Sequence, residues 1–252
     1  LFQIVSASPE LFFSRKGDEI TLRPMKGTSP RAPESSQDER RAELLKSSEK
    51  NRAENVMIVD LMRSDIGRIS RPGSVEVVSL FDVERLPTGW QMTSTVRARL
   101  KPNIGLADLF TALFPCGSVT GAPKASTMRI INDIEPSPRG AYCGAIGLVA
   151  PGGDATCSVG IRTIVIDQAQ GKARCSVGGG ITWGSEVRDE YHEAMAKSAF
   201  LTHRPPAFEL LETIALRSGQ YRLLARHLDR VSRSASYFGF SFDWVAVVRA
   251  LD

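Results

Sequence analysis

The sequence predicts an α+β protein in which antiparallel sheets pack with helices. Three observations carry that expectation. Strand-like and helix-like runs mix without the regular strand–helix alternation of a parallel sheet. The strand-like runs 141–150, 155–167 and 172–177 follow one another closely, with turn residues at 151–154 and 168–171, so their neighbours should be antiparallel. Finally, 42% apolar and 24% charged residues in 252 is the balance of a globular chain with a sizeable core.

Helical spacing picks out three longer segments. Residues 37–62 place Leu44, Leu45, Ser48, Val56, Val59 and Met62 near a 3.6-residue period. Residues 123–134 open on Pro123, which suits a first helical turn, and set Met128, Ile131 and Ile134 on one side. A last helix is expected over 187–201. Residues 74–80 read as a strand. Pro205-Pro206 cannot continue a helix, so a boundary falls there. The expected organisation is a first domain over 1–204, a linker over 205–207 and the start of a second domain over 208–252. That last piece is rich in aromatics and too short to bury them alone. The opening Leu1-Phe2-Gln3-Ile4-Val5 has neither Met nor a charged leader and reads as the interior of a longer protein.

Composition excludes several classes. The formal net charge of +4 is mild, and no long basic run argues for nucleic acid. No apolar run approaches the ~18–20 residues that span a bilayer. Four cysteines lack C-x-x-C spacing, which suits reduced thiols in a cytoplasmic protein.

Some residues could carry chemistry. Glu190 and Glu193 are three apart on one helix and share a face. Glu54 lies on another helix. Carboxylates converging from two helices would suit Mg²⁺, a cation that takes oxygen ligands; solvated helix faces are the plainer alternative. Gly178, Gly179 and Gly180 sit between a strand and a helix, where backbone N–H groups can approach an anion. The run is not G-x-G-x-x-G. The stretch Gly117-Ser118-Val119-Thr120-Gly121-Ala122-Pro123-Lys124 also opens a helix but misses the phosphate-loop spacing. Lys26, beside Gly27, could be a nucleophile if desolvated. Arg162 interrupts an apolar strand and should meet a carboxylate, of protein or ligand.

Taken in order, several segments resemble the chorismate-utilising enzymes. They are Ser8-Pro9-Glu10, Pro24-Met25-Lys26-Gly27-Thr28, residues 52–61, residues 63–68, residues 114–124, Arg139-Gly140-Ala141-Tyr142, Ile161-Arg162-Thr163, Gly178-Gly179-Gly180-Ile181 and Glu190-Tyr191-His192-Glu193. The resemblance runs from about Val5 to Leu201 and implies that family's chorismate-binding fold, truncated at its N-terminus. Lys26, where anthranilate and isochorismate synthases usually carry Ala, is similar to the aminodeoxychorismate synthase branch. It implies conversion of chorismate and ammonia to 4-amino-4-deoxychorismate for p-aminobenzoate and folate synthesis. Lys26 would attack C2, and Glu10 would act as the acid/base. Tyr142, Arg162 and Gly178, Gly179 and Gly180 would hold substrate carboxylates. Glu54, Glu190 and Glu193 would hold Mg²⁺. The sequence has no glutaminase motif, so the implied partner is a glutamine amidotransferase subunit. The alternatives are an anthranilate or isochorismate synthase, or a non-catalytic fragment that only binds partner subunits. Gln91 stands where many relatives have His, Ser64 where Asn is common, Asn51 where an acid is common and Gly184 where Asp is usual.

The tail carries a second resemblance. Residues 208–214, 226–230 and 234–240 are similar to the start of the class IV pyridoxal-phosphate (PLP) enzymes, which include aminodeoxychorismate lyase. This implies a synthase–lyase fusion, with PLP bound only by parts of a lyase domain lying beyond Asp252.

Overall fold

A computed structural model describes residues 1–86, 89–201 and 208–251. The chain divides into two compact units, residues 1–31 with 40–202, and residues 32–39 with 203–252. The expected linker at 205–207 lies outside the described residues.

The first unit is built on β1 (Phe2–Ser6), β2 (Leu11–Lys16), β3 (Glu19–Arg23) and β4 (Met25–Pro30), followed by α1 (Ser35–Ser47) and α2 (Glu49–Gly67). The single helix expected over 37–62 is therefore two. Ser48 breaks it: its backbone is extended (ψ 111°), and its hydroxyl accepts from the Asn51 backbone N–H at the start of α2. A serine supplies that N-cap more readily than it continues a helix. Next come β5 (Glu76–Leu86), β6 (Gly89–Arg99), α3 (Leu106–Leu113) and α4 (Lys124–Ile134). The apolar side expected on α4 is present as a pattern, but α4 buries none of its residues.

The strands β7 (Ala145–Val149), β8 (Ala155–Val159), β9 (Thr163–Asp167) and β10 (Lys172–Cys175) lead to α5 (Val187–Ser198). Both expected hairpins form, β7 with β8 and β9 with β10, antiparallel. The run 155–167, however, is two strands in two sheets. β8 lies in a seven-stranded sheet of order β4-β6-β3-β2-β8-β7, with β5 also on β6, while β9 lies in a three-stranded sheet of order β1-β9-β10. The chain leaves one sheet for the other at Gly160-Ile161-Arg162, and Arg162 takes a left-handed φ of 48°. Beside it, the chain between β1 and β2 makes the same passage: Ala7 N–H donates to the Arg162 carbonyl at 3.1 Å, and Val159 N–H to the Glu10 carbonyl at 3.0 Å. Two crossings side by side fix Glu10 and Arg162 at the junction of the sheets.

The core explains why these strands and helices assemble. On α2, Ile58, Val59, Met62 and Ile66 recur at helical spacing and bury against Phe12, Ile20, Leu22, Val96 and Ala98 of the sheet. Leu109, Ala112 and Leu113 of α3 join them. Phe12, Phe13 and Phe110 pack edge-on at centroid distances of 5.2–6.3 Å. Arg68 reaches both Asp65 and the Ala112 carbonyl, tying α2 to the end of α3.

In the second unit, β11 (Leu216–Arg217) and β12 (Gln220–Tyr221) form a short hairpin before α6 (Leu224–Phe238) and α7 (Trp244–Leu251). Gly239 ends α6 with φ 78°, the left-handed cap that glycine takes without strain. Phe208 sits edge-on to Phe238 and Phe240 at 5.0 and 5.3 Å. Glu212 accepts from Arg230 and sits 2.5 Å from His227 Nδ1. Residues 32–39, expected in the first domain, cluster here instead: Tyr237 donates its hydroxyl to the Ala32 carbonyl at 2.5 Å.

Candidate active site

The turn 178–180 organises the site. A Cβ on Gly178 would stand 3.0 Å from the Tyr142 hydroxyl oxygen. On Gly179 it would stand 2.8 Å from Glu190 Oε2 and 3.9 Å from Glu193 Oε1. On Gly180 it would stand 2.7 Å from Lys26 Nζ. Three consecutive glycines thus admit three side chains drawn from separate parts of the chain. Close approach, rather than a special backbone angle, is what these positions require.

Lys26 reaches that turn from β4. Its neighbour Gly27 has φ +92° and lies against Asn51 of α2. Glu10 lies at the sheet junction, 3% exposed, and its Oε1 has no hydrogen-bond partner. Burial pushes its carboxyl up from 4.5 to about 7, against the smaller downward pull of the Ser118 hydroxyl, the Met25 backbone and the Lys26 ammonium. A buried acid that titrates near neutrality and has an unused oxygen is suited to give and take protons.

Cys116 lies behind this acid, 3.2 Å from the Ser118 hydroxyl, and burial raises its thiol to about 12. It is therefore an inert thiol. Arg162 is half-buried, and burial lowers its pKa from the ordinary arginine value. Among the described residues it makes no ion pair, so the protein carboxylate considered for it is not found there. The phenol of Tyr142 is raised above its usual range, chiefly by burial.

The acids on α5 are already engaged. Glu190 accepts from the Ser185 hydroxyl at 2.6 Å. Glu193 pairs with Lys197 at 2.6 Å, and Lys197 also donates to the Gly178 carbonyl at 3.1 Å. Among the described residues no group of three His, Cys, Asp or Glu side chains is gathered for a metal ion. The expected trio of Glu54, Glu190 and Glu193 is thus not assembled. Glu54 is half-buried on α2, while an ammonium group already balances Glu193. The donor chemistry of Glu190 and Glu193 still fits Mg²⁺, which commonly uses one or two carboxylates plus water and substrate oxygens.

Sequence reasoning missed Ser118, Lys197 and the structural use of Lys124. Lys197 is four residues after Glu193, a spacing that pairs charges on a helix. Lys124 is bound to Asp65 at 2.5 Å and to the Leu113 carbonyl at 2.7 Å, so it is a clamp within the fold. No helix among the described residues is long and apolar enough to cross a membrane.

A near-neutral acid, a primary amine whose charge acts on it and a glycine turn that permits close approach lie together on an α+β scaffold, with a half-buried arginine at the junction of the sheets. The chain belongs to the chorismate binding enzyme family, whose profile matches residues 1–203. It is 46% identical over 201 residues to "Aminodeoxychorismate synthase component 1" of Klebsiella aerogenes, covering 80% of this chain and 44% of that protein. It is 40% identical over 200 residues to "Anthranilate synthase component 1" of Streptomyces coelicolor, covering 79% and 39%. The crystal structure of anthranilate synthase component I from Streptococcus pneumoniae superposes with a TM-score of 0.70 at 36% identity, covering 80% of this chain and 44% of that one. The chain spans less than half the length of these relatives.

Proposed function

We propose that the protein carries the chorismate site of an aminodeoxychorismate synthase, joining ammonia to chorismate to give 4-amino-4-deoxychorismate. The observation that supports this most is the approach of Lys26, Tyr142 and the α5 acids to one glycine turn. Lys26 distinguishes this reading from C2 amination of the kind implied by the anthranilate synthase relatives, because an amine at that place can itself occupy C2.

The chemistry follows from the groups present. Arg162 offers a two-pronged donor for a substrate carboxylate, and the Tyr142 hydroxyl offers a further donor. The amine of Lys26, once rid of its proton, forms a bond to C2 while both ring double bonds shift, C1=C2 to C1=C6 and C5=C6 to C4=C5, and the C4–O bond breaks. Hydroxide is a poor leaving group, so Glu10 supplies the proton that lets it depart as water. Ammonia then bonds to C4, the C2–N bond breaks, and Lys26 is restored. The covalent route divides one hard displacement into two. Bound Mg²⁺ would supply electrostatic stabilisation of the substrate carboxylate, and Glu190 and Glu193 are the residues that would hold it. A glutamine amidotransferase subunit would supply ammonia.

For residues 208–252 the lyase-like reading rests on their motifs. They contain no lysine, so the residue that anchors PLP in that fold is not among them.

Product analysis tests the main reading. The protein with chorismate, Mg²⁺ and an ammonium salt should give 4-amino-4-deoxychorismate by mass spectrometry. Anthranilate or isochorismate as the product would replace it with the corresponding alternative.

A further inference from the structure

The strand that carries Lys26 is irregular at that residue. Pairing between β4 and β6 jumps from Met25 opposite Thr93 to Thr28 opposite Gln91. Two residues, Lys26 and Gly27, therefore face the single Met92. This is a β-bulge, and the φ of +92° at Gly27 belongs to it. A bulge interrupts the ladder and re-aims the side chain beside it. Here the re-aimed side chain is Lys26, whose Nζ reaches Gly180.

The interrupted ladder is closed by a side chain. Gln91 Nε2 donates to the Gly27 carbonyl at 2.7 Å, and Gln91 Oε1 accepts from the Thr28 hydroxyl at 3.0 Å. Gln91 is 5% exposed, so an unpaired amide there would be costly. Its two ends meet the two residues that follow Lys26. We propose that Gln91 is the positioning residue for Lys26: its carboxamide takes the place of the missing backbone rung and holds the bulge that turns the amine toward the glycine turn. Its functional meaning rests on the reading of Lys26 as the reactive amine; the geometry does not.

The test is competitive acetylation of the chain with acetic anhydride, read by peptide mass spectrometry as the ratio of Lys26 to the exposed Lys172. In the parent chain half-buried Lys26 should react more slowly than Lys172. Gln91→Met keeps the length and removes both hydrogen bonds. It should raise the ratio by at least about fivefold, the population change for one neutral hydrogen bond of about 1 kcal/mol, since two are lost. Thr28→Val should raise it in the same direction, and Thr28→Ser, which keeps the hydroxyl, should restore it. Lys124, clamped elsewhere by Asp65, should not change. An unchanged Lys26 ratio in both Gln91→Met and Thr28→Val overturns the proposal. So does an equal rise at Lys124, which would mark general loosening. If Gln91→Met fails to fold, the Thr28 pair decides. No chorismate is used, so this outcome is independent of whether Lys26 forms an adduct.

Discussion

Replacing Glu10 by Gln should make the protein more stable at alkaline pH. Glu10 is held in the fold with a carboxyl raised from 4.5 to about 7, chiefly by burial. Above pH 4.5 the unfolded chain releases this proton while the folded chain keeps it until about pH 7. The folded state then binds more protons than the unfolded one, and stability falls as pH rises through that window. At about 1.4 kcal/mol per pH unit, the interval from 4.5 to about 7 corresponds to roughly 3 kcal/mol of destabilisation above pH 7. Glu10→Gln removes the ionisation and keeps the shape. Urea denaturation followed by circular dichroism at pH 4, 6 and 8 should show the two chains close together at pH 4. They should then diverge, with the variant ahead by up to about 3 kcal/mol at pH 8. A variant whose stability runs parallel to the parent at all three pH values would refute the reasoning, because Glu10 would then be solvated in the fold.

Other perturbations follow from the same geometry. Lys26→Met removes a charge that pulls Glu10 downward, so carbon-13 NMR of labelled glutamate should show Glu10 titrating above about 7. Ile66→Ala empties a fully buried position on the core-facing side of α2 and should cost about 2–5 kcal/mol in denaturant melts. Gly147→Ala would drive a Cβ into the Thr156 backbone carbonyl, and should cost at least about 1–3 kcal/mol in the same melts. Cys116, buried with its thiol at about 12, should resist iodoacetamide at pH 8 in the folded protein and react after denaturation.

Much of the fold was legible where local signals act alone. The hairpins β7–β8 and β9–β10 were visible because their turns are short and rich in turn residues. Ser48 hid a helix boundary because helical spacing continues on both sides of it; only its capping geometry distinguishes it. The run 155–167 reads as one strand because β8 and β9 are both β-forming. Its break at Gly160 and Arg162 depends on a second chain crossing beside it, a tertiary fact. In the site, Lys26, the glycine turn, Glu190 and Glu193 were identified as candidates by type and spacing, and the fold brings them together. Glu10 was visible only through family resemblance, since one carboxylate after Ser-Pro has no periodic signal. The closing of the bulge by Gln91 was invisible, because a register shift between β4 and β6 is not written in either strand alone.

The central claim is that Lys26 is the nucleophile toward chorismate. Intact-mass and peptide mass spectrometry of the protein mixed with chorismate, with ammonia left out, tests it most directly. The account predicts a covalent adduct with the mass of chorismate less one water, mapped to Lys26 and absent from Lys26→Ala. Absence of that adduct, together with unchanged 4-amino-4-deoxychorismate formation by Lys26→Ala, would contradict the account.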